Sequence, residues 1–127
     1  MNIYTPEWRE RLRIFFDRPG YTNYWAFDFE RTWSKYQKGV QNKLGFARIV
    51  NHYMQLDKGR VLVIGSFLGT EAIAYALCGA SVVAIDLDEA ALDLSTELAD
   101  KHGTHIEVHC VDGGDTGFSD ESFDYIS

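Results

Sequence analysis

From Val61 onward, short apolar runs alternate with segments in which apolar residues recur at helical spacing. The pattern predicts strands at 61–64, 81–85 and 105–110, with helices at 70–78 and 89–102 between them. A further strand begins within 122–127, and the sequence ends inside it. Because strands and helices that alternate in this way form a parallel sheet with right-handed crossovers, we predict an α/β fold, a doubly wound parallel sheet that is incomplete at about four strands.

The predicted strands differ in how their apolar residues are distributed. The runs 61–64 and 82–85 are apolar at every position, as expected for interior parallel strands that are covered on both faces. The run 105–110 instead alternates polar and apolar residues. One face of this strand should therefore meet solvent, which predicts a position at or near an edge of the sheet.

Residues 1–58 have a helical pattern that is rich in aromatic and charged residues. Thr5 and Pro6 predict the start of a short amphipathic helix, which ends at the turn-forming segment 17–20. A longer helix is predicted at about 32–56, with an apolar stripe that we expect the sheet to cover: Val40, Leu44, Ala47, Val50 and Met54, widened by Phe46, Ile49 and Tyr53. We therefore predict an N-terminal helical cap region, residues 1–58, followed by a sheet domain, residues 59–127.

Composition restricts the classes of function. The formal net charge is -7, which would repel phosphate backbones, so no nucleic-acid partner is expected. Cys78 and Cys110 form no CxxC pair, and the charged N-terminus does not resemble a signal peptide. No run approaches the roughly 20 apolar residues of a membrane-spanning helix. We therefore expect a reduced, cytoplasmic protein with no membrane partner.

The turn after the first strand, Gly65-Ser66-Phe67-Leu68-Gly69, has glycines at its first and last positions. Gly65 permits a sharp turn, and Gly69 lets the backbone approach a neighbouring strand or a ligand. A dinucleotide-binding loop has glycines at the positions that Phe67 and Thr70 occupy here, which disfavours an NAD-dependent oxidoreductase. By itself, the loop is equally consistent with a tight turn that binds nothing.

Acidic residues follow the next two strands. Asp86 ends the second strand, 21 residues after Gly65, where a carboxylate can accept hydrogen bonds from both hydroxyls of a ribose. Asp112 follows the third strand, where an acceptor can bind the amino group of an adenine while Gly113 keeps the backbone close to the ring. Each feature alone has a simpler explanation as a turn, and Asp88 as a helix cap. At three successive strand ends, they together favour a ligand site.

These motifs resemble those of the class I S-adenosylmethionine-dependent methyltransferases, which have a Rossmann-like fold. The resemblance covers residues 61–126, in the loop 61–69, the strand end 83–87 and the segments 111–113 and 118–124. It implies S-adenosyl-L-methionine as the cofactor and methyl transfer to an acceptor that we expect to be a small molecule. It also implies a set of cofactor contacts: Gly65, Ser66 and Gly69 at the methionine part, Asp86 at the ribose, Leu87 on the adenine, and Asp112 with Gly113 at its amino edge.

Two positions depart from the family pattern. Val63 stands where the family usually has an acid that helps to hold the cofactor's amino group, and Phe67 replaces the usual middle glycine. Residues that bind or deprotonate the acceptor commonly follow the fourth strand in this family, so the catalytic residues are expected after Ser127 and this portion alone is expected to be inactive. A non-catalytic interaction module derived from a methyltransferase fold remains the alternative. A homo-oligomer that covers the inner strand edge also stays open.

Weaker patterns have competing interpretations. Four aromatic residues of the N-terminal region could contact the sulfonium cation of the cofactor, because aromatic faces attract cations: Tyr21, Tyr24, Trp25 and Tyr36. We favour packing within the helical cap for them, since large rings more often form a core. The D-x-D pattern of Asp86-Leu87-Asp88 is found in some glycosyltransferases, but that interpretation leaves the glycine loop unexplained. Three potential metal ligands lie on one face of the third predicted strand: His105, Glu107 and His109. We favour a solvated face of an edge strand over a metal site for these residues, and we predict no metal ligands.

Overall fold

A computed structural model of the chain describes residues 2–21, 27–114, 116–118 and 122–127. The chain divides into two compact units, Met1–Gly39 and Val40–Ser127. The predicted division between residues 58 and 59 lies inside the second unit and stays a prediction about domain organisation. No helix among the described residues is both long and apolar enough to cross a bilayer. Over the described ranges, the α-helices and strands are α1 (Pro6–Phe16), α2 (Phe29–Met54), β1 (Arg60–Ile64), α3 (Thr70–Leu77), β2 (Ser81–Asp86), α4 (Glu89–Lys101), β3 (Glu107–Cys110) and β4 (Tyr125–Ile126), with a short 3-10 helix at Leu56–Lys58.

The four strands form one parallel sheet in the order β3-β2-β1-β4. The predicted α/β architecture is therefore confirmed, as is the edge position of the strand that alternates polar and apolar residues. This strand begins at Glu107 rather than at the predicted residue 105, because its pairing with β2 starts opposite Val83. The sheet is incomplete in the sense that β4 contributes only two residues beside β1.

The two faces of the sheet are covered in different ways. The chain steps from β1 to β2 to β3 in one direction, so right-handed crossovers place α3 and α4 on the same face. The opposite face carries a buried cluster of Leu62, Val83 and Ile85. Among the described residues, the side chains packed on that cluster come from the segment between β3 and β4: Val111, Phe118 and Phe123.

Helix starts follow from local capping. The Thr5 hydroxyl accepts a hydrogen bond from the backbone N–H of Trp8 (3.2 Å) at the start of α1. The Asp88 carboxylate accepts one from the N–H of Ala91 (3.1 Å) at the start of α4. Each side chain satisfies an N–H that has no partner within its own helix, which is why these positions begin helices. The predicted amphipathic character of α1 is also confirmed, because one stripe of the helix is buried: Trp8, Leu12, Phe15 and Phe16.

The apolar face of α2 is only partly covered. Val40 and Ala47, two turns apart, are buried, as predicted. Phe46, Ile49 and Tyr53 are instead exposed by 54%, 59% and 79%, so the prediction that they join the covered stripe is wrong. The reason is geometric: these three residues form a second stripe beside the first, and a helix turns only one stripe of limited width towards a core. Met54, predicted at the end of the first stripe, is also exposed, by 47%.

Backbone and side-chain contacts hold β4 beside β1. The Asp124 carboxylate accepts a hydrogen bond from the N–H of Arg60 (2.8 Å), and the N–H of Asp124 donates to the Arg60 carbonyl (2.9 Å). The Arg60 guanidinium donates to the Ser122 carbonyl and lies over the Phe123 ring, 4.7 Å from its centroid. These contacts fix the register in which β4 enters the sheet.

Candidate functional site

A cavity of about 230 Å³ opens at the carboxyl ends of β1, β2 and β3. It lies there because parallel strands bring their carboxyl ends to one edge of a sheet, and the loops that follow them spread apart. Four of the seven predicted cofactor-binding residues line it, with three aliphatic neighbours: Gly65, Asp86, Leu87 and Gly113, then Ile64, Ile85 and Val111. The wall is therefore mostly apolar, with one carboxylate.

The Asp86 carboxylate is held by two backbone donors. Its Oδ2 accepts a hydrogen bond from the N–H of Phe67 (2.8 Å), and its Oδ1 accepts one from the N–H of Asp88 (2.9 Å). An ionised carboxylate has about four acceptor positions, so two remain for a ligand. The same bonds tie the glycine loop to the end of β2, which means that Asp86 also orders this part of the cavity wall.

The loop after β1 is a chain of tight turns. Gly65 and Phe67 both have positive φ, +65° and +50°. Phe67 is a bulky residue in a left-handed conformation that costs such residues roughly 1–2 kcal/mol, and its N–H bond to Asp86 is one compensation for that strain. The N–H of Ser66 donates to the Ile85 carbonyl (3.1 Å), while the Ser66 hydroxyl is buried and has no hydrogen-bond partner among the described residues.

Gly69 is positioned by packing against α4. A Cβ atom added at Gly69 would lie 2.5 Å from the Cβ of Ser95, closer than real Cβ atoms approach one another. Ser95 is fully buried, and its hydroxyl donates to the Leu92 carbonyl (2.7 Å). Neither Gly69 nor Ser66 lines the cavity, so the structure gives Gly69 a packing role, and its predicted contact with a cofactor stays a prediction.

Leu87, after β2, and Gly113, after β3, both line the cavity. The Leu87 side chain is 74% exposed, which is unusual for leucine, and it lines the opening directly after Asp86. A Cβ atom on Gly113 would lie 2.8 Å from Cγ2 of Ile64, so only glycine lets the segment after β3 come this close to the end of β1. A flat apolar group fits such a slot, since both sides lack polar atoms that would require partners.

Asp112 lies outside this arrangement. Its side chain is exposed, and its Oδ1 accepts a hydrogen bond from the N–H of Gly114 (2.8 Å), which is the geometry of a side-chain-stabilised turn. It does not line the cavity, and its predicted contact with an adenine amino group stays a prediction. Sequence reasoning also missed the aliphatic lining from Ile64, Ile85 and Val111. Their signal was available, because each directly precedes a residue that had been singled out.

The N-terminal aromatic residues pack within their own unit. The Tyr21 ring lies 5.5 Å from those of Phe15 and Phe16. The Tyr36 hydroxyl accepts a hydrogen bond from the Trp8 indole (2.9 Å), and burial raises the pKa of Tyr36. These contacts are those of a core, the interpretation that the sequence favoured. Tyr24 and Trp25 lie outside the described residues.

The edge strand carries no group of metal ligands. His109 Nε2 lies 3.2 Å from the Glu107 carboxylate, and the His109 ring packs edge-on against Phe118 at 5.5 Å. Within the described ranges, no three His, Cys, Asp or Glu side chains are grouped as a metal ion would require. His105 lies before the strand begins.

A family model and two solved structures that resemble this chain all belong to methyltransferases. A family model described as a methyltransferase domain matches residues 61–127. Magnesium protoporphyrin IX methyltransferase from Synechocystis PCC 6803, solved with bound SAM, has a TM-score of 0.64 and 17% identity over 99% of this chain. The plantazolicin methyltransferase, solved in complex with SAH, has a TM-score of 0.54 and 18% identity over 94% of this chain.

This chain covers only part of the length of each of these two proteins. This chain covers 62% of the first protein and 45% of the second, so it spans less than two thirds of either. At these sequence identities the likeness shows the fold. A search of curated protein sequences gave no significant match.

Proposed function

The chain belongs to the class I methyltransferase family, whose methyltransferase-domain model matches residues 61–127, and from this premise we propose that it binds S-adenosyl-L-methionine as part of a methyltransferase. We propose further that the complete enzyme is cytoplasmic and transfers the methyl group to a small-molecule acceptor. The charge of -7 supports this choice of acceptor, because it disfavours nucleic acid.

The observation that carries the proposal is the Asp86 carboxylate in the cavity wall. Two backbone N–H groups fix its orientation and leave acceptor positions for two ribose hydroxyls. Leu87 and Gly113 line the same cavity and provide apolar surface for an adenine ring. The residues present therefore fit the adenosine part of the cofactor.

The size of the cavity supports assigning it to that part only. Its volume of about 230 Å³ is below the roughly 300–1,000 Å³ of sites that enclose a whole drug-sized ligand. When bound, the cofactor supplies an electrophilic methyl group on a sulfonium. The contribution of this chain is to hold the adenosine so that the donor is fixed in position, and positioning of two bound reactants can remove about 7–11 kcal/mol of a reaction barrier.

Binding calorimetry tests the proposal. S-adenosylmethionine, S-adenosylhomocysteine and NAD would be titrated into the protein and into Asp86→Ala, with Asp93→Ala as the control that removes an exposed carboxylate from α4. Charge-assisted hydrogen bonds contribute about 1.5–3 kcal/mol each, so we expect Asp86→Ala to weaken both adenosyl ligands by at least about tenfold. Asp93→Ala should leave binding unchanged, and NAD should not bind.

Folding must be checked separately, because Asp86 also holds the glycine loop. Asp86→Asn keeps one carbonyl acceptor and so can retain one of the two backbone hydrogen bonds while it removes the charge. Melting temperatures of both variants show how much of any loss in binding comes from a loss of structure. If the folded protein binds neither adenosyl ligand, the proposal fails and the non-catalytic interaction module becomes the better account.

A further inference from the structure

The strand order has a switch point between β1 and β4. From β1 the chain first builds the sheet towards β2 and β3, and then returns to place β4 on the other side of β1. Crevices at the carboxyl ends of such strand pairs are the usual ligand sites of open α/β sheets. The cavity described above lies on the β1, β2 and β3 side, so it does not include the switch point at the carboxyl ends of β1 and β4.

Polar side chains from α3 and from the residue after β4 meet at the carboxyl ends of β1 and β4. Ser127 continues the ladder beyond β4, because its N–H donates to the Leu62 carbonyl (2.8 Å) and its carbonyl accepts from the N–H of Ile64 (2.9 Å). Its hydroxyl donates to the carboxylate of Glu71 in the first turn of α3. Ser127 and Glu71 are thus brought together from positions 56 residues apart.

A buried hydroxyl without a partner lies in the same group. Tyr75, one turn after Glu71, is fully buried, and its hydroxyl makes no hydrogen bond of good geometry among the described residues. Its ring packs 5.7 Å from that of Tyr125. Burial raises the pKa of Tyr75, and the nearby Tyr125 and Glu71 raise it further. Leaving such a group unpaired is costly, which indicates that a partner belongs at this place.

The end of β1 itself offers no charge. Val63, at the position where the family usually has an acid, is apolar and only 1% exposed. Under the proposed function, the two remaining acceptor positions of Asp86 are taken by the ribose hydroxyls. Among the described residues, the partner of the Glu71 carboxylate is the Ser127 hydroxyl, which can rotate to another acceptor, so the carboxylate is available to a cation.

We propose that Glu71 binds the ammonium group of the cofactor's methionine part, with the hydroxyls of Ser127 and Tyr75 as further acceptors. This inference rests on the proposed function, and it assigns the missing negative charge to the first turn of α3 instead of the end of β1. An ammonium group has three N–H donors, and the carboxylate and two hydroxyl oxygens can accept all of them.

The test compares two ligands that differ in the amino-acid part. S-adenosylhomocysteine carries the ammonium group, whereas methylthioadenosine has the same adenosine and sulfur without it. Calorimetry would be done with the protein, with Glu71→Gln, and with Glu89→Gln, the matched control in the first turn of α4. We expect Glu71→Gln to weaken S-adenosylhomocysteine by about tenfold or more and to leave methylthioadenosine unchanged. Glu89→Gln should affect neither ligand.

Tyr75→Phe provides a second variant that keeps the packed ring. We expect it to weaken S-adenosylhomocysteine severalfold and to change the melting temperature little, since the hydroxyl that it removes makes no hydrogen bond of good geometry among the described residues. An equal loss for both ligands in Glu71→Gln, or no loss, would overturn the inference while leaving the proposed function intact. Failure of the unmodified protein to bind either ligand would overturn both.

Discussion

Replacement of Gly69 by alanine tests how the glycine loop is built into the core. The added Cβ would lie 2.5 Å from the Cβ of the fully buried Ser95, and the φ angle of +81° disfavours any side chain. The left-handed conformation costs roughly 1–2 kcal/mol, and overpacking of a core typically costs about 1–3 kcal/mol. We therefore expect Gly69→Ala to lower the free energy of unfolding by about 2–5 kcal/mol, a large share of the roughly 5–15 kcal/mol of a typical domain.

Gly65 provides the internal control for the backbone contribution. Its φ of +65° is similar, but a Cβ there would meet nothing within 4 Å. Gly65→Ala should therefore cost only the conformational part, about 1–2 kcal/mol. Ser95→Gly removes the atom that clashes, so a double-mutant cycle with Gly69→Ala should recover the steric part of the loss.

Urea unfolding followed by far-ultraviolet circular dichroism measures all four variants. The dependence of the free energy on urea should stay the same, because the surface exposed on unfolding does not change. The reasoning is refuted if Gly69→Ala is no less stable than Gly65→Ala, or if Ser95→Gly leaves the loss in Gly69→Ala unrelieved. Either result would mean that the loop moves away from α4 without cost.

Three further predictions concern other parts of the chain. Gln55 follows α2 with φ +54° and an exposed side chain, so Gln55→Gly should raise the free energy of unfolding by about 0.5–1 kcal/mol in the same urea assay. Asp124→Ala leaves the N–H of Arg60 without its partner and should cost about 1 kcal/mol, whereas Asp124→Asn keeps an acceptor and should be nearly neutral by thermal melting. Burial lowers the pKa of His102 from its usual 6.5, so folding favours the neutral ring and stability is lost as the pH falls below that value. His102→Gln should therefore flatten the pH dependence of the melting temperature between about pH 7 and pH 5, and an unchanged dependence would contradict this assignment.

The local sequence pattern determined the secondary structure of this protein and the edge of the sheet at which the cavity lies. In the part of the chain that the structure describes, apolar runs, helical spacing and caps such as Thr5 and Asp88 predicted the α-helices and strands to within a few residues. These signals report the geometry of the chain within one or two turns. The convergence of Gly65, Asp86 and Gly113 on one cavity also followed, since all parallel strands end at the same edge. Their part in binding a cofactor stays a prediction.

Only the tertiary structure decided which surfaces meet. The pattern along α2 marked Val40 and Phe46 alike as apolar, but packing covers the first and leaves the second exposed. The contact of Gly69 with Ser95 and the bond between Glu71 and Ser127 join residues that are far apart in sequence. No local periodicity encodes such distances, because they depend on the strand order and on how closely two elements pack once the sheet has formed.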